Sequence, residues 1–183
     1  PIVGLHASEQ AGPGLIDVPD CLILHEEANH VLATARQALL AGADAWIGEV
    51  SEDREPYRLL VRRSVLTADV LVAIRETGKP FPNPGELAEA VVRRHPQVVG
   101  VVRLAGHAGR RGGMRSVPVW GRGWVAERIG GATFKLGAAS FLQVNLDMAE
   151  VVLGVVLECA GDVSGRNVVE LYGGVGVYGL ALA

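Results

Sequence analysis

Three glycines late in the sequence have the spacing of a ligand-binding loop. Gly174, Gly176 and Gly179 stand in G-x-G-x-x-G order, directly after the apolar run Asn167-Val-Val-Glu-Leu-Tyr172. A buried strand that runs into a glycine turn and a helix lets a ligand approach the backbone, and the helix start offers free N–H groups. A nucleotide-like cofactor is the ligand such a turn serves. A tight strand-to-helix turn with no ligand has the same spacing, but the position after a buried-type strand favours a ligand. The spacing also suits a dinucleotide. That fold wants an acidic residue about 20 positions further on, and the sequence closes at Ala183.

A second motif lies upstream, in Gly130-Gly-Ala-Thr-Phe-Lys-Leu-Gly-Ala-Ala-Ser-Phe141-Leu-Gln143-Val-Asn145. This segment, an intervening helical stretch, and Leu171-Tyr-Gly-Gly174-Val-Gly176-Val177-Tyr178 together resemble the RNA 5-methyluridine methyltransferases. Members of that family carry Phe-(Phe/Ile)-Gln-Val-Asn, then a helix, then Leu-(Tyr/Phe)-(Ala/Cys)-Gly-x-Gly-(Asn/Thr)-Phe. Two separated motifs in fixed order are far more specific than glycines alone. Val3-Gly-Leu-His, Leu15-Ile-Asp-Val-Pro-Asp-Cys21 and Val98-Val-Gly-Val-Val-Arg103 extend the resemblance more weakly over most of the chain.

The resemblance implies S-adenosylmethionine as cofactor and an RNA, rRNA or tRNA, as partner. It places Gln143, Tyr172, Gly174, Gly176 and Val177 at the cofactor and Phe141 at the target base, where an aromatic face stacks on uracil. Core packing is the competing reading for Phe141 and Tyr172. A glutamine between Leu142 and Val144 would need a partner if buried, which favours a functional role for Gln143. Val177 departs from the family's hydrogen-bonding Asn or Thr, and Gly137-Ala-Ala from its Ser-Pro-Gly-like lead-in.

The family mechanism needs a cysteine that adds to uracil C6 and a base that removes the C5 proton. Neither Cys21 nor Cys159 matches the nucleophile's place, which in the family lies beyond the glycine loop. No catalytic residue is therefore assigned in this chain, and an inactive fragment of a longer enzyme is the expectation. Cys21 matches one ligand of the [4Fe–4S] cluster that some members hold; a plain buried cysteine is the alternative. Four thiolates are the usual requirement, so a cluster is expected in a full-length protein only. Two other functions stay open: an NAD- or FAD-binding oxidoreductase fragment, and an inactive RNA-binding module.

The elements that must position these residues follow from periodicity. Ile2 to His6 and Leu15 to Val18 read as a hairpin around Gly12-Pro-Gly. His25 to Leu40 reads as a helix with Ala28, Leu32, Ala35 and Leu39 on one face and Gly42 at its end. Tyr57 to Ser64 and Asp69 to Arg75 form a second hairpin. A helix over Gly85 to Arg94 turns Leu87, Ala90 and Val91 inward, and strands follow at Val98 to Leu104, Val117 to Trp120, Gly123 to Glu127 and Thr133 to Leu136. The glycine-rich, basic stretch Arg103 to Arg115 reads as a mobile loop, able to touch phosphates or simply a hairpin tip. Asp147 and Glu150 have capping-box spacing. Met148, Val151, Val152, Val155, Val156 and Cys159 mark the apolar stripe of the helix that follows, which ends at Gly161. The expected architecture is an α+β central domain of antiparallel hairpins over residues 1–137. Residues 138–183 would be the first strand, loop and helix of a truncated Rossmann-like α/β domain.

Bulk properties set the remaining bounds. The 183 residues are 49% hydrophobic and 20% charged, enough apolar content for a real core. The net charge of −3 lacks the basic excess of many nucleic-acid binders. Lys79 and Lys135 are the only lysines, and arginine pairs such as Arg62-Arg63 read as solvated surface. No apolar run reaches the roughly 18 residues that span a bilayer, so a cytoplasmic protein without membrane contact is the expectation. The apolar Asn167–Tyr172 edge would need cover, which suggests self-association through the C-terminal end or disorder in the last residues.

Overall fold

A computed structural model describes residues 5–6, 14–42, 57–77, 80–106 and 114–183. The chain opens on a short antiparallel hairpin, β1 (Leu5–His6) and β2 (Leu15–Ile16). Helix α1 (Glu26–Ala41) follows. Strands β3 (Tyr57–Arg63) and β4 (Val70–Glu76) pair antiparallel, as the short gap between two runs rich in Val, Leu and Ile implies. Helix α2 (Pro84–Arg94) then carries the chain to β5 (Val98–Ala105). β5 lies parallel to β4, so this part is a β-α-β unit rather than hairpins alone. The connecting helix is what allows the parallel pairing.

Strand β6 (Arg115–Gly121) completes a four-stranded sheet in the order β3-β4-β5-β6. Arg103 to Ala105 and Arg115 therefore belong to strands, and the tip of the expected loop, residues 107–113, lies outside the described residues. A separate hairpin, β7 (Trp124–Ile129) and β8 (Ala132–Gly137), turns on Gly130 and Gly131, both with positive φ.

The sheet has a core on each face because β4 and β5 are apolar on both sides. Val70, Val72 and Ile74 point toward α1 and α2, while Leu71 and Ala73 point toward β7, β8 and the C-terminal segments. On β5, Val98 and Val101 join the first core and Val102 and Leu104 the second. Each fully buried Leu or Val contributes about 1.5–3 kcal/mol. The buried face of α1 is Ala28, Asn29, Val31, Thr34 and Ala35. Val31, not the expected Leu32, fills the buried position between the two alanines. On α2, Ala88 rather than Ala90 joins Leu87 and Val91 inside.

The second core is pinned by polar contacts that end the β3–β4 turn. Ser64 is fully buried, and its hydroxyl donates to the Ala126 carbonyl at 2.6 Å and accepts from the Thr67 N–H at 2.9 Å. The buried Glu127 carboxylate accepts from the N–H groups of Val65 and Leu66. On the opposite face, buried Glu76 accepts from the Arg103 guanidinium at 2.5 Å and the Phe81 N–H at 2.8 Å.

Helix α3 (Leu146–Ala160) differs from expectation in two respects. Its cap is Asn145, whose side-chain oxygen accepts from the Met148 N–H at 3.0 Å. Asp147 and Glu150 form no capping box; Glu150 instead accepts from the Gly130 N–H at 2.8 Å. The buried face is Ala149 and Leu153, so Met148, Val151, Val152, Val155 and Cys159 point outward. Gly161, at φ +61, ends the helix as expected. Asn167 to Tyr172 has no ladder partner among the described residues and is not buried, with Val169 81% and Leu171 78% exposed. The apolar run alone cannot make a strand, because a strand's backbone groups require a neighbour. Helix α4 (Val177–Ala181) closes the described chain.

Candidate functional site

The two motifs meet. Leu142 is buried in the second core, and Val175 and Val177 pack against that same core. Their neighbours are thereby held side by side. A side chain at Gly174 would come within 3.5 Å of the Phe141 carbonyl oxygen and 3.8 Å of its ring. The Phe141 segment is itself tied down at its start. Gly137 and Ser140 exchange two hydrogen bonds across a tight turn. The Arg62 guanidinium, reaching from β3, donates to the Ser140 carbonyl at 2.5 Å. Burial pushes the Arg62 pKa down from its ordinary value, and the Glu127 charge opposes that.

The glycine loop has backbone that most residues avoid. Gly174 and Gly176 have φ of +59 and +81, and Tyr172, which is not a glycine, has φ +58. A residue held in this region costs of order 1–3 kcal/mol and marks sites where strain serves a function. Open space surrounds the position of a Gly176 side chain, so the loop leaves its backbone approachable. Tyr172 is fully exposed and Phe141 68% exposed. Core packing therefore accounts for neither aromatic ring. Gln143 and Val144 are also exposed, so the argument that a buried glutamine needs a partner does not apply to Gln143. The residues fit a cofactor with a flat, polar end: an open glycine cradle beside two exposed aromatic faces.

Glu170 belongs to this site, and the glycine spacing gave no hint of it. Its carboxylate accepts from the Gly179 N–H at 2.9 Å, and its side chain closes over Gly173, where an added Cβ would lie 2.9 Å from its carboxyl carbon. The readable signal was an acid in an otherwise apolar run, Val168-Val-Glu170-Leu.

The cysteines lie elsewhere. Cys159 is exposed on α3, not packed in a core. Cys21 is half-buried, and the buried Asn29 of α1 brackets its backbone, accepting from its N–H at 3.2 Å and donating to its carbonyl at 3.0 Å. No group of three or more His, Cys, Asp or Glu residues suited to a metal occurs among the described residues. With one thiolate at hand, this chain's residues do not fit an iron–sulfur cluster, which needs about four ligands. No described helix is long and apolar enough to cross a membrane.

No family model matches the chain. Curated relatives do. An uncharacterized RNA methyltransferase of Halalkalibacterium halodurans is 26% identical over 176 residues, 92% of this chain and 37% of the relative. One of Clostridium acetobutylicum is 29% identical over 182 residues, 97% of this chain and 40% of the relative. Among solved structures, a Pyrococcus abyssi tRNA (uracil-54, C5)-methyltransferase in complex with S-adenosyl-L-homocysteine shares the fold, with a TM-score of 0.66 at 17% identity over 93% of this chain and 40% of that one. The chain thus spans about two fifths of the length of the proteins it matches. The relatives are thus RNA methyltransferases by name, and the solved structure shares the fold.

Proposed function

We propose that the full-length protein transfers a methyl group from S-adenosylmethionine to C5 of a uridine in RNA, either rRNA or tRNA. The observation that carries this reading is the meeting of Phe141 with Gly174 on one core. A glycine turn by itself serves many nucleotides; one built against the Phe141-Leu-Gln-Val-Asn145 segment is the pairing the family motifs share. The relatives named as RNA methyltransferases support methyl transfer to RNA, and the Pyrococcus abyssi neighbour, a tRNA (uracil-54, C5)-methyltransferase in complex with S-adenosyl-L-homocysteine, supports uracil C5 and the cofactor.

When bound, the cofactor supplies an electrophilic methyl group. Gly174 and Gly176 would receive its amino-acid end, Gly176 from open space, and Gln143, Tyr172 and Val177 would frame it. Glu170 holds the loop's shape through Gly179. Phe141 offers a face on which the uracil stacks. Uracil C5 becomes nucleophilic only after a thiolate adds at C6, and a base must then take the C5 proton. The reading assigns the thiolate and the base to the full-length protein; neither Cys21 nor Cys159 contacts the loop among the contacts described. Cys21 is at most one cluster ligand in the full-length protein. No observation favours the dinucleotide alternative over this reading.

The test is a methyl-transfer reaction of the full-length protein with isotope-labelled S-adenosylmethionine and uridine-containing RNA, followed by nucleoside mass spectrometry. The expected product is 5-methyluridine. Label on another base or on ribose, or none at all, overturns the reading.

A further inference from the structure

The glycines of the loop after Tyr172 are glycine for two different reasons. Gly174 and Gly176 have positive φ, whereas Gly173 and Gly179 do not. What forbids a side chain at the second pair is Glu170. A Cβ at Gly173 would lie 2.9 Å from the Glu170 carboxyl carbon and 3.1 Å from its Oε2. A Cβ at Gly179 would lie 2.7 Å from the same Oε2. The Glu170 side chain thus folds from the apolar run Val168-Val-Glu170-Leu171 into the loop. There its Oε2 accepts from the Gly179 N–H at 2.9 Å.

The third glycine of the G-x-G-x-x-G series therefore has an unusual use. In a dinucleotide loop that glycine lets the helix pack close to the strand, and the diphosphate rests on free backbone N–H groups. Here the room at Gly179 belongs to a carboxylate, and its N–H is already taken. Glu170 is half-buried, so its charge is screened less than one standing free in water. A diphosphate brought to Gly174 and Gly176 is repelled by this charge. S-adenosylmethionine is attracted, because its sulfonium and ammonium outweigh its one carboxylate. Discrimination of this kind uses repulsion of the wrong ligand as well as attraction of the right one.

We infer that Glu170 sets the sign of the charge that the glycine loop accepts: it favours a cofactor with a cationic end and turns a diphosphate away. The inference rests on the reading given above, in which Gly174 and Gly176 receive the cofactor. A Glu170 that only held the loop's shape would treat every ligand alike.

The test is isothermal calorimetry on the full-length protein with S-adenosylmethionine, ADP and 5′-methylthioadenosine, which has the nucleoside and the sulfur without the cationic end. Glu170→Gln keeps the side chain's length and an oxygen that accepts from the Gly179 N–H, but removes the charge. It should weaken S-adenosylmethionine about tenfold at low salt, the order expected for one unit charge near a protein surface. 5′-Methylthioadenosine should be unaffected, and ADP should bind no more weakly than before. Gly179→Ala, whose Cβ collides with Oε2, should instead weaken all three, which shows what a distorted loop does. Circular dichroism of each variant separates a changed loop from a lost fold. The wild-type protein gives a second reading that needs no variant: its affinity for S-adenosylmethionine should fall as salt rises, and that for 5′-methylthioadenosine should not. A folded Glu170→Gln variant with an unchanged preference for S-adenosylmethionine over ADP overturns the inference, as does one that weakens all three ligands alike, or a wild-type affinity for S-adenosylmethionine that ignores salt. Wild-type protein that prefers ADP to S-adenosylmethionine sinks the family reading together with the inference. Wild-type protein that prefers S-adenosylmethionine, with an unaltered Glu170→Gln variant, sinks the inference alone.

Discussion

At the residue scale, backbone proximity decides more than side-chain chemistry. A Cβ at Gly100 would lie 1.7 Å from the Arg122 carbonyl oxygen, and backbone cannot step aside cheaply. Gly100→Ala should therefore lose at least ~3 kcal/mol, read as a lower denaturation midpoint at constant slope. Titration supplies a second expectation. His95 bonds the Thr34 hydroxyl at 2.7 Å, and burial, then His30 and Arg94, hold its pKa below the ordinary value of 6.5. The unfolded chain thus takes the proton first. Stability present above about pH 6.5 is lost as pH falls through the lower folded value. Denaturation midpoints should fall from pH 7.5 to 5.5, and His95→Gln should flatten that part of the decline. An unaltered pH profile in the variant would assign the decline to other groups.

At the element scale, the orientation of α3 makes a sharp contrast. Leu153→Ala should cost about 2–5 kcal/mol, because Leu153 is buried and lies against Gly130 of the β7–β8 turn. Val151→Ser and Val155→Ser should stay within about 0.5 kcal/mol, because both side chains are exposed. Thermal or chemical denaturation checks all three, and the reverse order would restore the apolar stripe as the buried face. Ser64→Ala should cost about 1–3 kcal/mol by leaving the Thr67 N–H without its buried acceptor.

Much of this level was legible in the sequence. Each hairpin, α1, α2 and α3 fall where periodicity puts them, because alternation and helical spacing record which residues must be buried. The orientation of α3 was not legible, because valines outnumber its buried positions and the packing at Gly130 selects Leu153. The parallel β4–β5 pairing was hidden for a related reason: β4 is apolar on both faces and alternation is silent there. The site was half legible. Phe141 and the glycines could be named from motifs, but Glu170 and Arg62 act through spatial neighbours that spacing does not encode.

At the scale of the whole molecule, one sheet organises everything. Its first face is closed by α1 and α2, and its second collects β7, β8, α3 and both motifs. On the proposed reading, the second face assembles one S-adenosylmethionine site from two distant segments. Isothermal calorimetry on the full-length protein tests it most directly. S-adenosylmethionine should bind, NAD should not, and Gly176→Val and Gln143→Ala should each weaken binding at least several-fold. The first would do so because φ +81 strains any side chain. Binding of NAD without S-adenosylmethionine, or cofactor affinity indifferent to both substitutions, would contradict it.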